Sequence, residues 1–346
     1  MVADGFLPGR ARSSQILSPM PDSPALQPRK RRLAIAAWPS SVFGVLVVLV
    51  GVVISMPPAS AQLKVATTTA DLASVAREIG GPAVDVVALA RPGEDPHFVD
   101  AKPSFIARLS RVDMLIEGGA ELESGWLPAL LLGARNPKIA LRQPGRIRAN
   151  IGIEMLEIPT SLDRSQGDLH ASGNPHFLIA PSNMRILARR IASGLESLDA
   201  SNARAFQDRL KSFEGRLDSK LLEWRSRLEP HRGRQILGYH NSWIYFAREF
   251  GLKVDFVIEP KPGIPPSARR MADLITAIRE NDIRAVFVEP HVSRRFAETL
   301  SQKTGIRMVM ASQYPGGIPG TEAGVIELLD RLTGDLARAL EQPLGK

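Results

Sequence analysis

Between Ser182 and Leu228 the chain is rich in Arg, Leu, Ala and Glu and almost free of glycine, and this stretch limits the folds open to it. Asp199-Ala200-Ser201-Asn202 offers an N-cap. After it Ala205, Phe206, Leu210, Phe213, Leu217, Leu221, Leu222 and Trp224 recur near helical spacing until Glu229-Pro230 stops the run. A helix of that length extends roughly 40 Å at about 1.5 Å per residue, enough to cross the height of a domain. An amphipathic helix lying on one lobe has the same period, so periodicity alone does not choose between strut and surface helix.

On both sides of this stretch short apolar segments alternate with helical ones. Before it, Leu63 to Thr68, Val84 to Leu89 and Met114 to Glu117 read as strands, with helices over Asp71 to Ile79, Ser104 to Leu109 and Trp126 to Leu132. After it, Gln235 to Tyr239, Lys253 to Ile258, Ala285 to Val288 and Met308 to Met310 read as strands. Helices are expected over Ser242 to Phe250, Ala268 to Asn281, Val292 to Thr304 and Glu322 to Leu340. The alternation predicts an α/β fold of two parallel-sheet lobes, whose ligand sites lie beyond the carboxyl ends of the strands. A length of 346 residues suits two such lobes.

The first sixty residues read as an address rather than as fold. Arg29-Lys30-Arg31-Arg32 precedes an apolar run from Val42 to Met56, and Pro57-Pro58-Ala59-Ser60-Ala61 closes it with small residues. This is the three-part pattern of a secretory signal over residues 1–61, with cleavage expected after Ala61. A run of about fifteen apolar residues is short for a bilayer span. The chain contains no cysteine. Disulfides, thiolate metal sites and lipid attachment through a Cys are therefore excluded, and a soluble periplasmic protein is expected. The net charge of +8 is no nucleic-acid signal, because six basic and two acidic residues before Ala61 account for half of it. The rest lacks the dense Lys/Arg runs with interleaved aromatics that nucleic-acid binders use.

With no thiolate, chemistry falls to nitrogen and oxygen, and the six histidines are the first candidates: His97, His170, His176, His231, His240 and His291. His97 follows Asp95-Pro96 beyond a strand, His176 follows Asn174-Pro175 in a Gly/Asn/Pro loop, and His240 ends the strand Ile236 to Tyr239. Proline before histidine restrains the backbone and presents the ring at low ordering cost. His231, beside Arg232 and Arg234, reads as a solvated loop residue. His170 shares a loop with His176 and has Asp168 nearby, and His291 ends a strand after Glu289-Pro290, so both stay open. Catalytic signatures are missing: there is no H-E-x-x-H helix, no G-x-S-x-G elbow, no Walker loop and no G-x-G-x-x-G. Glu94-Asp95 is better read as a solvated pair than as an acid and base. An exported zinc hydrolase, with three histidines holding a bound water, is the enzyme alternative, and a non-metal receptor or adhesin on the same scaffold the third.

At these residues the sequence resembles the periplasmic receptors of zinc and manganese ABC importers. Arg91-Pro92-Gly93-Glu94-Asp95-Pro96-His97-Phe98 is similar to their first ligand loop, and Gly173-Asn174-Pro175-His176-Phe177 to the second. Tyr239-His240-Asn241-Ser242-Trp243 is similar to the third, while Glu259-Pro260-Lys261-Pro262-Gly263 and Phe287-Val288-Glu289-Pro290 match the C-terminal lobe. The resemblance implies an N-terminal lobe over 62–200, one long rigid linking helix over 201–229 and a C-terminal lobe over 230–346, with small lobe movement. It implies that His97, His176 and His240 are metal ligands and that a membrane permease with its ATPase is the partner of a monomeric, non-enzymatic receptor. Many relatives place a carboxylate in the late loop where this chain has Gln313, a weaker neutral candidate for the fourth position. They also carry a His-rich loop that is missing here. Three neutral imidazoles without a certain carboxylate suit Zn(II) better than Mn(II), which prefers oxygen, although Mn(II) stays possible as cargo.

Overall fold

The computed structural model describes residues 61–160, 170–259 and 264–345. The expected signal lies outside them except for Ala61, as do Asp168 and the Pro260 to Gly263 part of the late motif.

Among the described residues there are two four-stranded sheets, and every pairing in both is parallel. The first comprises β1 (Leu63–Thr67), β2 (Val84–Ala88), β3 (Met114–Glu117) and β4 (Arg146–Arg148), in the order β2-β1-β3-β4. The second comprises β5 (Gln235–Gly238), β6 (Lys253–Val257), β7 (Ala285–Val288) and β8 (Arg307–Met310), in the order β6-β5-β7-β8. The two halves share one topology, as the alternation of elements predicts. In each, the strand order reverses beside the first strand, which opens a crevice past its carboxyl end. β4 escapes a pattern reading because it is a three-residue edge strand of sequence RIR. It is held by Arg146, whose guanidinium grips Glu117 at 3.1 and 2.7 Å.

The sheets are flanked by α1 (Ala70–Gly80), α2 (Pro103–Leu109), α3 (Leu127–Ala134), α6 (Ile244–Phe250), α7 (Ala268–Glu280) and α8 (Arg295–Thr304). The glycine-poor region folds as a helical hairpin, α4 (Pro181–Leu198) and α5 (Ala203–Leu228), turning where Asp199 accepts a hydrogen bond from the Asn202 backbone. Pairing of Arg189 with Glu214 and of Arg185 with Asp218 shows that the two helices run antiparallel. The chain ends with α9 (Val325–Glu341).

α5 is neither a bare strut nor a helix on one lobe. Its seam of Phe206, Leu210, Phe213, Leu217, Leu221, Trp224 and Leu228 is buried along its whole length, while Leu222, off the seam, is 71% exposed. That seam joins one core holding Leu72 and Ile79 of α1, Leu187 and Ile191 of α4, and Leu328 and Leu332 of α9. Polar ties reinforce the same junction. Trp224 Nε1 donates to Asp330 at 3.0 Å, and the Val325 backbone of α9 donates to Ser74 of α1 at 3.1 Å. Glu249 of α6 accepts from Ser182 of α4 at 2.6 Å and pairs with Arg225 of α5 at 2.7 Å. Trp224→Ala removes a fully buried ring and the partner of Asp330, so it should cost about 3–5 kcal/mol, whereas Leu222→Ala should stay within about 0.5 kcal/mol. The shift in urea midpoint at constant m-value measures both.

Candidate metal centre

Three of the expected residues come from three loops. His97 lies in the segment after β2, where Asp95 makes a short turn: its Oδ1 accepts from the His97 backbone at 3.0 Å, and Trp126 Nε1 secures the Pro96 carbonyl at 2.8 Å. His176 repeats the device, because Asn174 Oδ1 accepts from the His176 backbone at 3.0 Å. Asx-Pro-His is thus one local solution used twice, in which the Asx side chain replaces a backbone turn partner. The second loop needs Gly173 at φ +94°, where a Cβ would stand 2.8 Å from the Leu156 carbonyl. His240 follows β5 at the reversal point of the second sheet. Asn174 ties the last two loops together, donating to the Asn241 carbonyl at 2.8 Å and to Glu157 at 2.9 Å.

The rings meet. Centroids of His97 and His176 are 5.2 Å apart, those of His176 and His240 5.7 Å, and those of His97 and His240 6.2 Å. His170, which the sequence left open, joins them at 5.3 Å from His97, with the two Nε2 atoms separated by 3.3 Å. The cleft beside them is a cavity of about 290 Å³ whose wall also includes Glu259, Glu289, His291 and Gln313. His291 is exposed on that wall. His231 is buried behind α5, contrary to the solvated reading, and burial together with Arg234 lowers its pKa. Its arginine-rich neighbours in sequence disguise a core position.

Two of the rings have a partner that sets the tautomer. Asp95 Oδ1 lies 2.9 Å from His97 Nδ1 and accepts that proton, leaving Nε2 with its lone pair. Burial acts to raise the Asp95 carboxyl, but the hydrogen bond and charge of His97 outweigh it and hold the group below its usual range. Gln313 donates through Nε2 to the Ser242 carbonyl at 3.1 Å, which turns its Oε1 toward His176 Nδ1 at 3.2 Å. In this geometry the Gln313 oxygen serves the ring. His176 Nε2 is buried with no hydrogen-bond partner among the described residues. Burial, with His97, His240 and His170 beside it, holds this imidazole well below its ordinary pKa, so at neutral pH it is a lone-pair donor. Glu289, 3% exposed and bonded to Trp243 Nε1 at 2.7 Å, is pushed up to about 7 by burial.

No three His, Asp or Glu side chains among the described residues form a closed cage. The rings are gathered as neighbours, and closing on one ion takes side-chain adjustment. The donor set suits a borderline cation, which imidazole nitrogen binds well.

Two parallel α/β lobes braced by a long helix, with imidazoles lining the cleft, have the anatomy of a solute-binding protein. A model of the family described as zinc-uptake complex component A, periplasmic, matches residues 65–339. The chain belongs to this family of metal-binding receptors of ABC importers. It is 22% identical over 250 residues to the manganese ABC transporter substrate-binding lipoprotein PsaA of Streptococcus pneumoniae, covering 71% of this chain and 78% of that protein. It is 24% identical over 252 residues to the iron ABC transporter substrate-binding lipoprotein MtsA of Streptococcus pyogenes, with the same coverage. Among solved structures, a crystal structure of ZnuA superposes with a TM-score of 0.68 at 26% identity, over 81% of this chain and 99% of the other. A manganese-bound periplasmic metal-binding protein from Candidatus Liberibacter asiaticus, at 19% identity, shares the fold with a TM-score of 0.67, over 81% and 100% of the two chains. The protein is therefore a metal-binding substrate-binding component of an ABC importer, and not an enzyme.

Proposed function

We propose that this protein is a periplasmic, monomeric receptor that captures Zn(II) in its cleft through His97, His176 and His240 and delivers it to a membrane permease and its ATPase. The observation that carries this reading is the gathering of three imidazoles from three loops, one of them with its Nε2 buried and without a hydrogen-bond partner among the described residues. Gln313 acts as the positioning partner of His176. Relatives named for manganese and iron make the choice of cargo a question of donor chemistry. Here the gathered rings are neutral nitrogen donors, with Glu259 and Glu289 on the cavity wall beside them, and a nitrogen-dominated set ranks Zn(II) above Mn(II) and Fe(II).

Metal analysis of protein purified without added metal, followed by competition titration, tests the reading. One zinc per chain is expected, with Zn(II) displacing Mn(II) stoichiometrically. Tighter binding of Mn(II) or Fe(II) than of Zn(II) would refute the choice of cargo. Absence of any bound divalent metal would refute the site.

A further inference from the structure

Of the two histidines that local pattern leaves undecided, His170 is the one to which the geometry gives a role. Resting on the receptor reading above, we infer that His170 supplies a fourth nitrogen to the cargo, held in place by Glu121, so that the ion is enclosed by four imidazoles instead of three and a water or amide.

Three observations carry this. The first is distance: His97 Nε2 and His170 Nε2 are 3.3 Å apart. Two donors on one tetrahedral Zn(II), with Zn–N of about 2.0–2.1 Å, are separated by about 3.3 Å. The second is orientation. His170 Nδ1 faces Glu121 Oε2 at 4.0 Å, and the same oxygen accepts from the backbone of Ala171 at 2.7 Å. A carboxylate thus lies on the Nδ1 side of His170, beyond hydrogen-bond distance where Asp95 bonds His97 directly, and a small approach would give the outer arrangement that turns an imidazole's other nitrogen to a metal. The third is the backbone that presents Glu121. Ala120 and Glu121 follow β3 with φ of +51° and +68°. Successive non-glycine residues in the left-handed region cost energy that must be offset elsewhere, and such strain collects where a side chain has to be aimed. Here the strained pair projects Glu121 onto the loop that bears His170, fifty residues away in sequence.

The fourth imidazole also accounts for Gln313. With the sphere completed by His170, the late loop need not provide an anionic donor, and its glutamine is free to orient His176. A sphere of four neutral nitrogens offers Mn(II) none of the oxygen it prefers, so His170 becomes a determinant of selectivity as well as of affinity.

The test compares His170→Ala, Glu121→Gln and His97→Ala with the parent protein by chelator competition for Zn(II) and Mn(II), and by the visible spectrum of the Co(II) form. The expected result for His170→Ala is one metal per chain, Zn(II) affinity lower by about 100-fold or more, a smaller preference for Zn(II) over Mn(II), and altered Co(II) bands as water replaces nitrogen. Glu121→Gln, which keeps the side chain's size, should lose about 10-fold, the lower end for an outer partner, with bands shifted the same way. Parent-like affinity and spectrum in His170→Ala, with binding lost in His97→Ala, would overturn the role of His170 and leave the receptor reading standing. Parent-like binding in His97→Ala would bring down that reading itself.

Discussion

Alanine in place of His176 is expected to weaken Zn(II) binding by at least about 100-fold. Structural zinc sites gain about 12 kcal/mol in all, so one of four donors carries about 3 kcal/mol, and each 1.4 kcal/mol is tenfold. His176 stands at the upper end of that share because its surroundings are committed to it. Asn174 holds its backbone, Gln313 holds Nδ1, and Nε2 is buried with nothing else to bind. Removing the ring strips Gln313 of its partner as well as the ion of its donor. Isothermal titration and thermal unfolding provide the check: excess Zn(II) should raise the melting temperature of the parent by mass action and leave the variant nearly unmoved. An unchanged zinc-induced shift in His176→Ala would remove this residue from the site.

Acid should empty the cleft. Metal binds only deprotonated imidazole, so every ring that carries a proton in the free protein must release it on binding, and affinity falls as pH falls. A ring titrating at about 6.5 costs about 25-fold between pH 7 and pH 5. His176 is already neutral through burial and contributes little to this slope. Each further imidazole that carries its proton in the free protein multiplies the fall by about the same factor. Apparent zinc affinity measured at half-unit steps from pH 8 to pH 5 gives the slope directly. A flat profile would show that imidazoles do not hold the cargo.

Much of the fold was legible because its strands are short, β-branched and punctuated by glycine or proline, and because the α5 seam keeps strict helical spacing over 26 residues. β4 was hidden because an edge strand of RIR is fixed by the distant Glu117 and not by its own pattern. In the site, Asp95-Pro96-His97 and Asn174-Pro175-His176 announced themselves, since the turn that presents each ring is encoded in adjacent residues. His170 did not, since its approach to His97 and the bond of the neighbouring Ala171 backbone to Glu121 are contacts made only after folding. Gln313 could be read as a ligand candidate from its place in the late loop, but its hydrogen bonds to Ser242 and His176 exist only in three dimensions.

The brace across the back of the molecule has a kinetic meaning. Because α5, α9 and the Ser182–Glu249–Arg225 tie lock the two sheets to a shared core, the cleft has no cheap way to gape. Loading and unloading then proceed as substitution chemistry, one imidazole leaving the cation while another group takes its place. On the proposed ligand set, release of the cation would thereby be governed by bond exchange at the loop tips that carry His97, His176 and His240 and not by separation of the halves.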